Sequence, residues 1–279
     1  MFEWRDVRRR TVRCERARYS PAGLGTRLSE ETDVRPKPMV EVGGQPLIWH
    51  IMKHYATHGS SDFYVALGYK GEFLEALLPA ITTPSPAAST SLQDGKVTPL
   101  DDVHEHWNVN LIDTGNETNT GGRLKRLEPW LRNGTFMLTY GDGVSMSTSA
   151  SCWRSTEPHG RLATITAVHP PARFGEMVFD GKDLVRFTEK PQMGKGGSTA
   201  DSWSSNRRSS EMIEGDATRP REWELLEHLT DEGQLVAYRH DSFWQCMDTL
   251  RDVRYLRALW ESGNPRGSRG REAGFLGRP

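Results

Sequence analysis

Short, almost wholly apolar runs separated by helix-period segments constrain this chain most. Phe63-Tyr64-Val65-Ala66-Leu67 and Phe136-Met137-Leu138-Thr139-Tyr140 read as buried strands, as does Leu162 to Val168. The stretch from Leu47 to Tyr55 repeats its apolar residues at helical spacing, which predicts a helix. Strands that alternate with helices predict a doubly wound, mostly parallel α/β sheet with helices on both faces. In such sheets ligands bind beyond the carboxyl ends of the strands. The strand ending at Tyr140 runs directly into Gly141-Asp142-Gly143, at that edge.

A second feature directs attention to phosphate chemistry. Gly23-Leu24-Gly25-Thr26-Arg27-Leu28 is followed at a short interval by Arg35-Pro36-Lys37-Pro38. Glycines lacking side chains let backbone N–H groups close on a phosphate, and Arg27 and Lys37 supply cations for a triphosphate under attack. An ordinary glycine turn is the plain alternative for the loop, and a solvated loop lysine for Lys37. The flanking prolines fix the chain around Lys37, so its ammonium can be aimed.

These motifs resemble the sugar-1-phosphate nucleotidyltransferases, in which a first strand ends in a Gly-x-Gly-Thr-Arg-Leu loop and a Pro-Lys follows. Further blocks resemble the cytidylyl branch of that family. They are Val42 to Met52, Leu111 to Gly115 with Thr120 to Arg126, Thr139 to Val144, Pro170 to Gly175 with Phe187 to Pro191, and Phe243 to Asp252. The resemblance implies a Rossmann-like nucleotide-diphospho-sugar transferase fold. It also implies an activity: attack of glucose 1-phosphate on the α-phosphorus of CTP, giving CDP-glucose and pyrophosphate. Another nucleotide such as dTTP or UTP, another sugar such as mannose 1-phosphate, and a non-catalytic product of a decayed gene are the alternatives.

By the same resemblance, Arg27 and Lys37 are catalytic. Gly23, Leu24, Gly25, Thr26, Thr118, Gly121, Gly122, Arg123 and Gly141 belong to the nucleotide side, and Glu189 and Lys190 contact the sugar phosphate. Asp142 and Asp248 are the two carboxylates implied for Mg²⁺, which takes oxygen ligands and keeps several waters. Each aspartate alone also suits a turn or a cap. The family further implies a homo-oligomer and a place in nucleotide-sugar synthesis for surface polysaccharides.

Composition sets limits on the partners. With 36 Lys and Arg against 37 Asp and Glu the net charge is −1, which gives no electrostatic reason to expect nucleic acid. Arg8-Arg9-Arg10 and Arg207-Arg208 read as solvated clusters. No apolar run is long enough to span a bilayer. Cys14, Cys152 and Cys246 show neither paired nor metal-ligand spacing, so a reducing, cytoplasmic setting is expected. His104-Glu105-His106 resembles a metal cluster superficially, but it lies in a charged stretch ahead of a strand.

Several segments conflict with a buried sheet. Arg13 to Pro21 carries three arginines and a proline where the family has an apolar first strand, Ser145 to Pro158 is Ser/Thr-rich where it has an amphipathic helix, and Gly197 to Ser210 replaces an Asn-Gly-Gly-Phe turn and strand. A shifted reading frame accounts for all three. Written GCG CGG TAC TCG CCG GCG GGC, residues 17–23 read from the third base as Ala-Val-Leu-Ala-Gly-Gly. Residues 147–158 yield an amphipathic helix in the same way, and the stretch from Gly197 yields Ile-Asn-Gly-Gly-Phe-Leu-Val-Phe. Genuine insertions are the alternative. The expected organisation is a frameshifted N-terminus over 1–21, one nucleotidyltransferase domain over 22–263 with suspect stretches near 82–91, 145–158 and 197–223, and a frameshifted tail over 264–279.

Overall fold

The computed structural model describes residues 9–14, 36–69, 71–82, 88–90, 97–99, 107–132, 134–145, 155, 159–169, 176–180, 183–188, 198–205 and 222–262. Its frame is a seven-stranded sheet. In spatial order the strands are Leu235–His240 (β14), Ala163–Val168 (β10), Ser198–Ser205 (β13), Phe136–Tyr140 (β8), Arg9–Cys14 (β1), Ser60–Leu67 (β4) and Asn108–Asp113 (β7). β8, β1, β4 and β7 run parallel, as do β10 and β14, whereas β13 is antiparallel to both its neighbours. The sheet is therefore mostly parallel, as the alternation of elements predicts.

Four further two-stranded pairings accompany it among the described residues, all but the third being hairpins. Glu41–Val42 (β2) pairs with Gln45–Pro46 (β3), Ala88–Thr90 (β5) with Val97–Pro99 (β6), Gly143–Ser145 (β9) with Trp244–Cys246 (β15), and Glu176–Asp180 (β11) with Asp183–Thr188 (β12). The helices are Leu47–Thr57 (α1), Gly71–Thr82 (α2), Thr120–Leu131 (α3), Glu222–Asp231 (α4) and Leu250–Glu261 (α5).

Alternation along the strands divides the core in two. Phe63, Val65 and Leu67 of β4 join one cluster, with Leu47, Ile48, Ile51 and Met52 of α1, Leu74 of α2, and Val253 and Leu256 of α5. Tyr64 and Ala66 join the other, with Leu124, Leu127 and Leu131 of α3 and Leu225 and Leu229 of α4. Successive side chains of a strand point to opposite faces, so α1, α2 and α5 cover one face of the sheet and α3 and α4 the other. The predicted strands at 63–67, 136–140 and 162–168 and the helix from Leu47 all appear, each within a few residues of its expected limits.

The β2–β3 turn and α5 are held together beside α1. At Gly43 the backbone has φ +61°, and a Cβ there would overlap the Trp260 indole of α5, so glycine is required on both counts. Arg257 Nε donates to the Glu41 carbonyl at 3.0 Å. His50, 1% exposed, donates from Nε2 to the Val42 carbonyl at 2.8 Å and meets the Trp260 ring edge-on at 5.4 Å.

The first-strand slot departs from expectation. The sequence places the missing central strand at Arg13 to Pro21, but the strand between β4 and β8 is Arg9–Cys14, shifted toward the N-terminus. β13 likewise fills an interior position with Ser-Thr-Ala-Asp-Ser-Trp-Ser-Ser. Ladder hydrogen bonds are made by the backbone, so any proline-free segment can complete them, whereas sheets covered on both faces ordinarily carry Val/Ile/Leu runs. On the shifted reading, a chain carrying it over 17–23, 147–158 and 197–206 is expected to be more soluble and to unfold at a higher temperature. An equal or higher Tm for the chain as written would overturn that reading.

Burial lowers the pKa of His50 from its usual 6.5, an effect only partly opposed by the Val42 and Gln45 carbonyls. His240 is lowered for the same first reason. An imidazole whose folded pKa lies below its unfolded value must stay neutral, so its contribution is present above about pH 6.5 and lost as pH falls. Thermal unfolding is expected at lower temperature near pH 5 than near pH 7.5. His50→Leu should flatten that slope, and an unchanged slope would exclude His50 as its source.

Candidate active site

Three charged groups from distant parts of the chain meet at one point. Lys37 begins the 3₁₀ turn Lys37–Met39, between Pro36 and Pro38, both buried. Its Nζ donates to Asp142 Oδ2 at 2.8 Å and to Asp248 Oδ1 at 2.7 Å. The side chains are 22, 14 and 20% exposed respectively. Burial alone would lower the lysine pKa, but the two carboxylates more than offset it and raise it above 10.5. The ammonium therefore stays charged through the physiological range, and its ion pairs are lost only as pH rises beyond that raised value.

The strands explain why these residues meet. Asp142 follows β8 at the carboxyl edge of the sheet, between Gly141 and Gly143. β9, which starts at Gly143, pairs antiparallel with β15 through Trp244–Ser145, Gln245–Val144 and Cys246–Gly143. The Met247 N–H then donates to the Asp142 carbonyl at 2.7 Å, which brings Asp248 alongside Asp142. Cys246 Sγ donates to Asp248 Oδ2 at 3.4 Å.

A second cluster lies at the same edge, at the end of β4. Thr114 donates to the Leu67 carbonyl through both its N–H, at 3.0 Å, and its hydroxyl, at 2.7 Å. Arg123, 1% exposed, donates to that carbonyl and to Thr114 Oγ1, each at 2.6 Å. Arg126 donates to the Thr114 carbonyl at 2.6 Å. Asn119 caps α3 by accepting from the Gly122 N–H at 3.0 Å.

The structure thus brings Lys37, Gly141, Asp142 and Asp248 together. Thr118 is 2% exposed, and Gly121 and Gly122 lie buried in the first turn of α3. Where the resemblance puts Arg123 against nucleotide, its guanidinium here is buried and ties the ends of β4 and β7 to α3. Gly23, Leu24, Gly25, Thr26, Arg27, Glu189 and Lys190, with His104, Glu105 and His106, lie outside the described residues. Sequence reasoning missed the supports of Asp248, namely Gln245, Thr249 and Asp252. Thr249-x-x-Asp252 ahead of an apolar run is a capping-box signal that would have found two of them.

Two carboxylates facing one cation suit a hard divalent ion that completes its shell with water and phosphate oxygens. No group of three or more His, Cys, Asp or Glu able to hold a metal occurs among the described residues, and of those residues Asp142 and Asp248 are the ones placed to contribute to such a shell. A pair of carboxylates at the carboxyl edge of the sheet, with a lysine ammonium between them, suits the handling of phosphate esters.

Comparison with known proteins defines the class. Residues 21–245 match the Nucleotidyl transferase family, and the chain belongs to it. It is 41% identical over 246 residues to the glucose-1-phosphate cytidylyltransferase of Salmonella typhi, covering 86% of this chain and 94% of that protein. The glucose-1-phosphate cytidylyltransferase of Salmonella typhimurium is similar at the same identity and coverage. Among solved structures, HddC from Yersinia pseudotuberculosis superposes with a TM-score of 0.62 over 90% of this chain and 99% of its own, at 18% identity, a likeness of fold.

Gly68 tests the second cluster. A Cβ there would overlap the Arg123 guanidinium. Gly68→Ala is expected to displace that side chain and lower Tm by several degrees, as loss of hydrogen bonds by a buried charge does. An unchanged Tm would show that Arg123 does not hold the loops.

Proposed function

We propose that this protein transfers a cytidylyl group from CTP to α-D-glucose 1-phosphate, forming CDP-glucose and pyrophosphate. The observation that carries this reading is the 41% identity to a glucose-1-phosphate cytidylyltransferase along 94% of that protein's length. The cluster of Lys37, Asp142 and Asp248 at the carboxyl edge of the sheet supports it.

In the proposed reaction a phosphate oxygen of the sugar phosphate attacks the α-phosphorus of CTP in line with the leaving group. The bond from the α-phosphorus to the α–β bridging oxygen breaks, and its electron pair leaves with pyrophosphate. The nucleophile is already an anion, so neither a general base nor a covalent enzyme intermediate is required. Catalysis then consists of orientation and charge neutralisation.

Lys37 is suited to the second task. Its turn is fixed by prolines on both sides, and the two acids beside it keep its ammonium charged against the effect of burial, so it can pass from carboxylate to phosphate without first acquiring a proton. Mg²⁺ is the proposed companion, held by Asp142 and Asp248, and when bound it would supply neutralisation of phosphate charge. Arg27, Glu189 and Lys190 retain their implied roles as proposals.

Lys37→Ala is expected to lower kcat/KM by about 10²-fold or more, the scale of a single electrostatic contact to a transition state. Asp142→Asn and Asp248→Asn should each raise the Mg²⁺ concentration needed for half-maximal release of pyrophosphate. Near-normal kinetics in Lys37→Ala would remove the lysine from the mechanism. An unchanged Mg²⁺ dependence would remove the corresponding aspartate, and CDP-glucose failing to form from CTP would overturn the reading itself.

A further inference from the structure

Asp252 lies in the first turn of α5, four residues beyond Asp248, and its carboxylate is filled by donors. Oδ2 accepts the backbone N–H of Asp248 at 3.1 Å, the N–H of Thr249 at 2.9 Å and the Thr249 hydroxyl at 2.8 Å. Oδ1 accepts from Gln245 Nε2 at 3.1 Å. An ionised carboxylate has about four acceptor sites, so these contacts leave it little capacity to face a cation.

Part of this is a helix cap. The Thr249 hydroxyl accepts from the Asp252 N–H at 3.3 Å, and the Asp252 side chain returns the bond, which closes a capping box. Two contacts exceed what a cap needs. One reaches back past Thr249 to the backbone of Asp248, and the other reaches Gln245 on β15.

Gln245 is 4% exposed, and its amide also donates to the Cys246 carbonyl at 2.8 Å. β15 pairs with β9 immediately after Asp142, and the Met247 N–H is bonded to the Asp142 carbonyl. An unbroken run of hydrogen bonds thus leads from Asp252 to the backbone of both cation-facing aspartates.

We infer that Asp252 is a positioning residue: by holding the Asp248 backbone against β15, it sets the spacing of the Asp142 and Asp248 carboxylates and so their capacity to share one divalent cation. The inference rests on the proposed role of those carboxylates in metal binding.

The test is Mn²⁺ binding to the full-length, nucleotide-free protein, followed by electron paramagnetic resonance, with Tm measured in parallel. Mn²⁺ is apt because it shares the preference of Mg²⁺ for oxygen ligands. Asp252→Ala is expected to weaken Mn²⁺ binding about 10-fold at a temperature where the variant is folded, and Asp252→Asn, which keeps one accepting oxygen, about 3-fold. Thr249→Ala removes the capping hydroxyl but leaves Asp252 able to hold the Asp248 N–H. It should lower Tm while changing the Mn²⁺ Kd by less than about twofold. Should Asp252→Ala prove insoluble, Asp252→Asn decides.

Asp248→Asn is the reference. Where it weakens Mn²⁺ binding and the Asp252 variants lose only Tm, Asp252 is a helix cap and the inference is overturned, with the metal reading intact. Where Asp248→Asn itself leaves Mn²⁺ binding unchanged, the metal reading falls, and the inference with it.

Discussion

The contact on which the arrangement turns is the ammonium of Lys37 between Asp142 and Asp248, partners 105 and 211 residues away in sequence. Two carboxylates brought this close repel each other unless a cation lies between them. Removing one member of a fully buried ion cluster costs roughly 3–5 kcal/mol. The side chains here keep 14–22% of their exposure, so solvent screening reduces that figure. The lysine therefore has two uses for its charge: it lets the acids stand side by side, and it carries a mobile cation to the edge where a phosphate would arrive.

That edge is organised by one carbonyl as well as by one cation. The Leu67 oxygen accepts from the Thr114 N–H, the Thr114 hydroxyl and Arg123, so the ends of two parallel strands and the start of α3 converge on a single atom. Arg123 can be buried because its charge is delocalised over a planar fork that satisfies several acceptors at once. Gly68 is small because that fork lies against it.

Much of this was legible in the sequence, for reasons that differ by residue. Asp142 could be read because an apolar strand ends in Gly-Asp-Gly, and Lys37 because it stands between prolines. The predicted strands and α1 followed from apolar runs and helical periodicity. The inward turn of Arg123 was not legible, since an arginine in a helix gives no local sign of whether it faces ligand or backbone. Gln245 escaped notice because its importance lies in a ladder between residues about 100 positions apart, which no local pattern reports, whereas Asp252 was legible as a helix cap but not as a hold on Asp248. β1 was expected further along the chain. Its slot in the sheet is defined by the edges of β4 and β8, and a backbone slot is blind to whether arginine or valine fills it.

The seating of Trp260 on Gly43 has a consequence for how the molecule comes into being. A ribosome delivers the hairpin and Lys37 early, and Asp142 about midway, but the β15 strand, Asp248 and the α5 helix emerge only after some 200 further residues beyond the hairpin. Until then the lysine has one acid instead of two, the glycine-bearing turn has no indole to cover it, and the apolar face awaiting Val253 and Leu256 is open to water. Vectorial synthesis thus leaves a long interval in which a nascent chain has most of its sheet but no completed carboxylate pair around the lysine, an interval in which exposed core favours association with other chains. Among the described helices α5 is the last made, and it closes over the glycine-bearing turn only once Asp248 has joined the lysine.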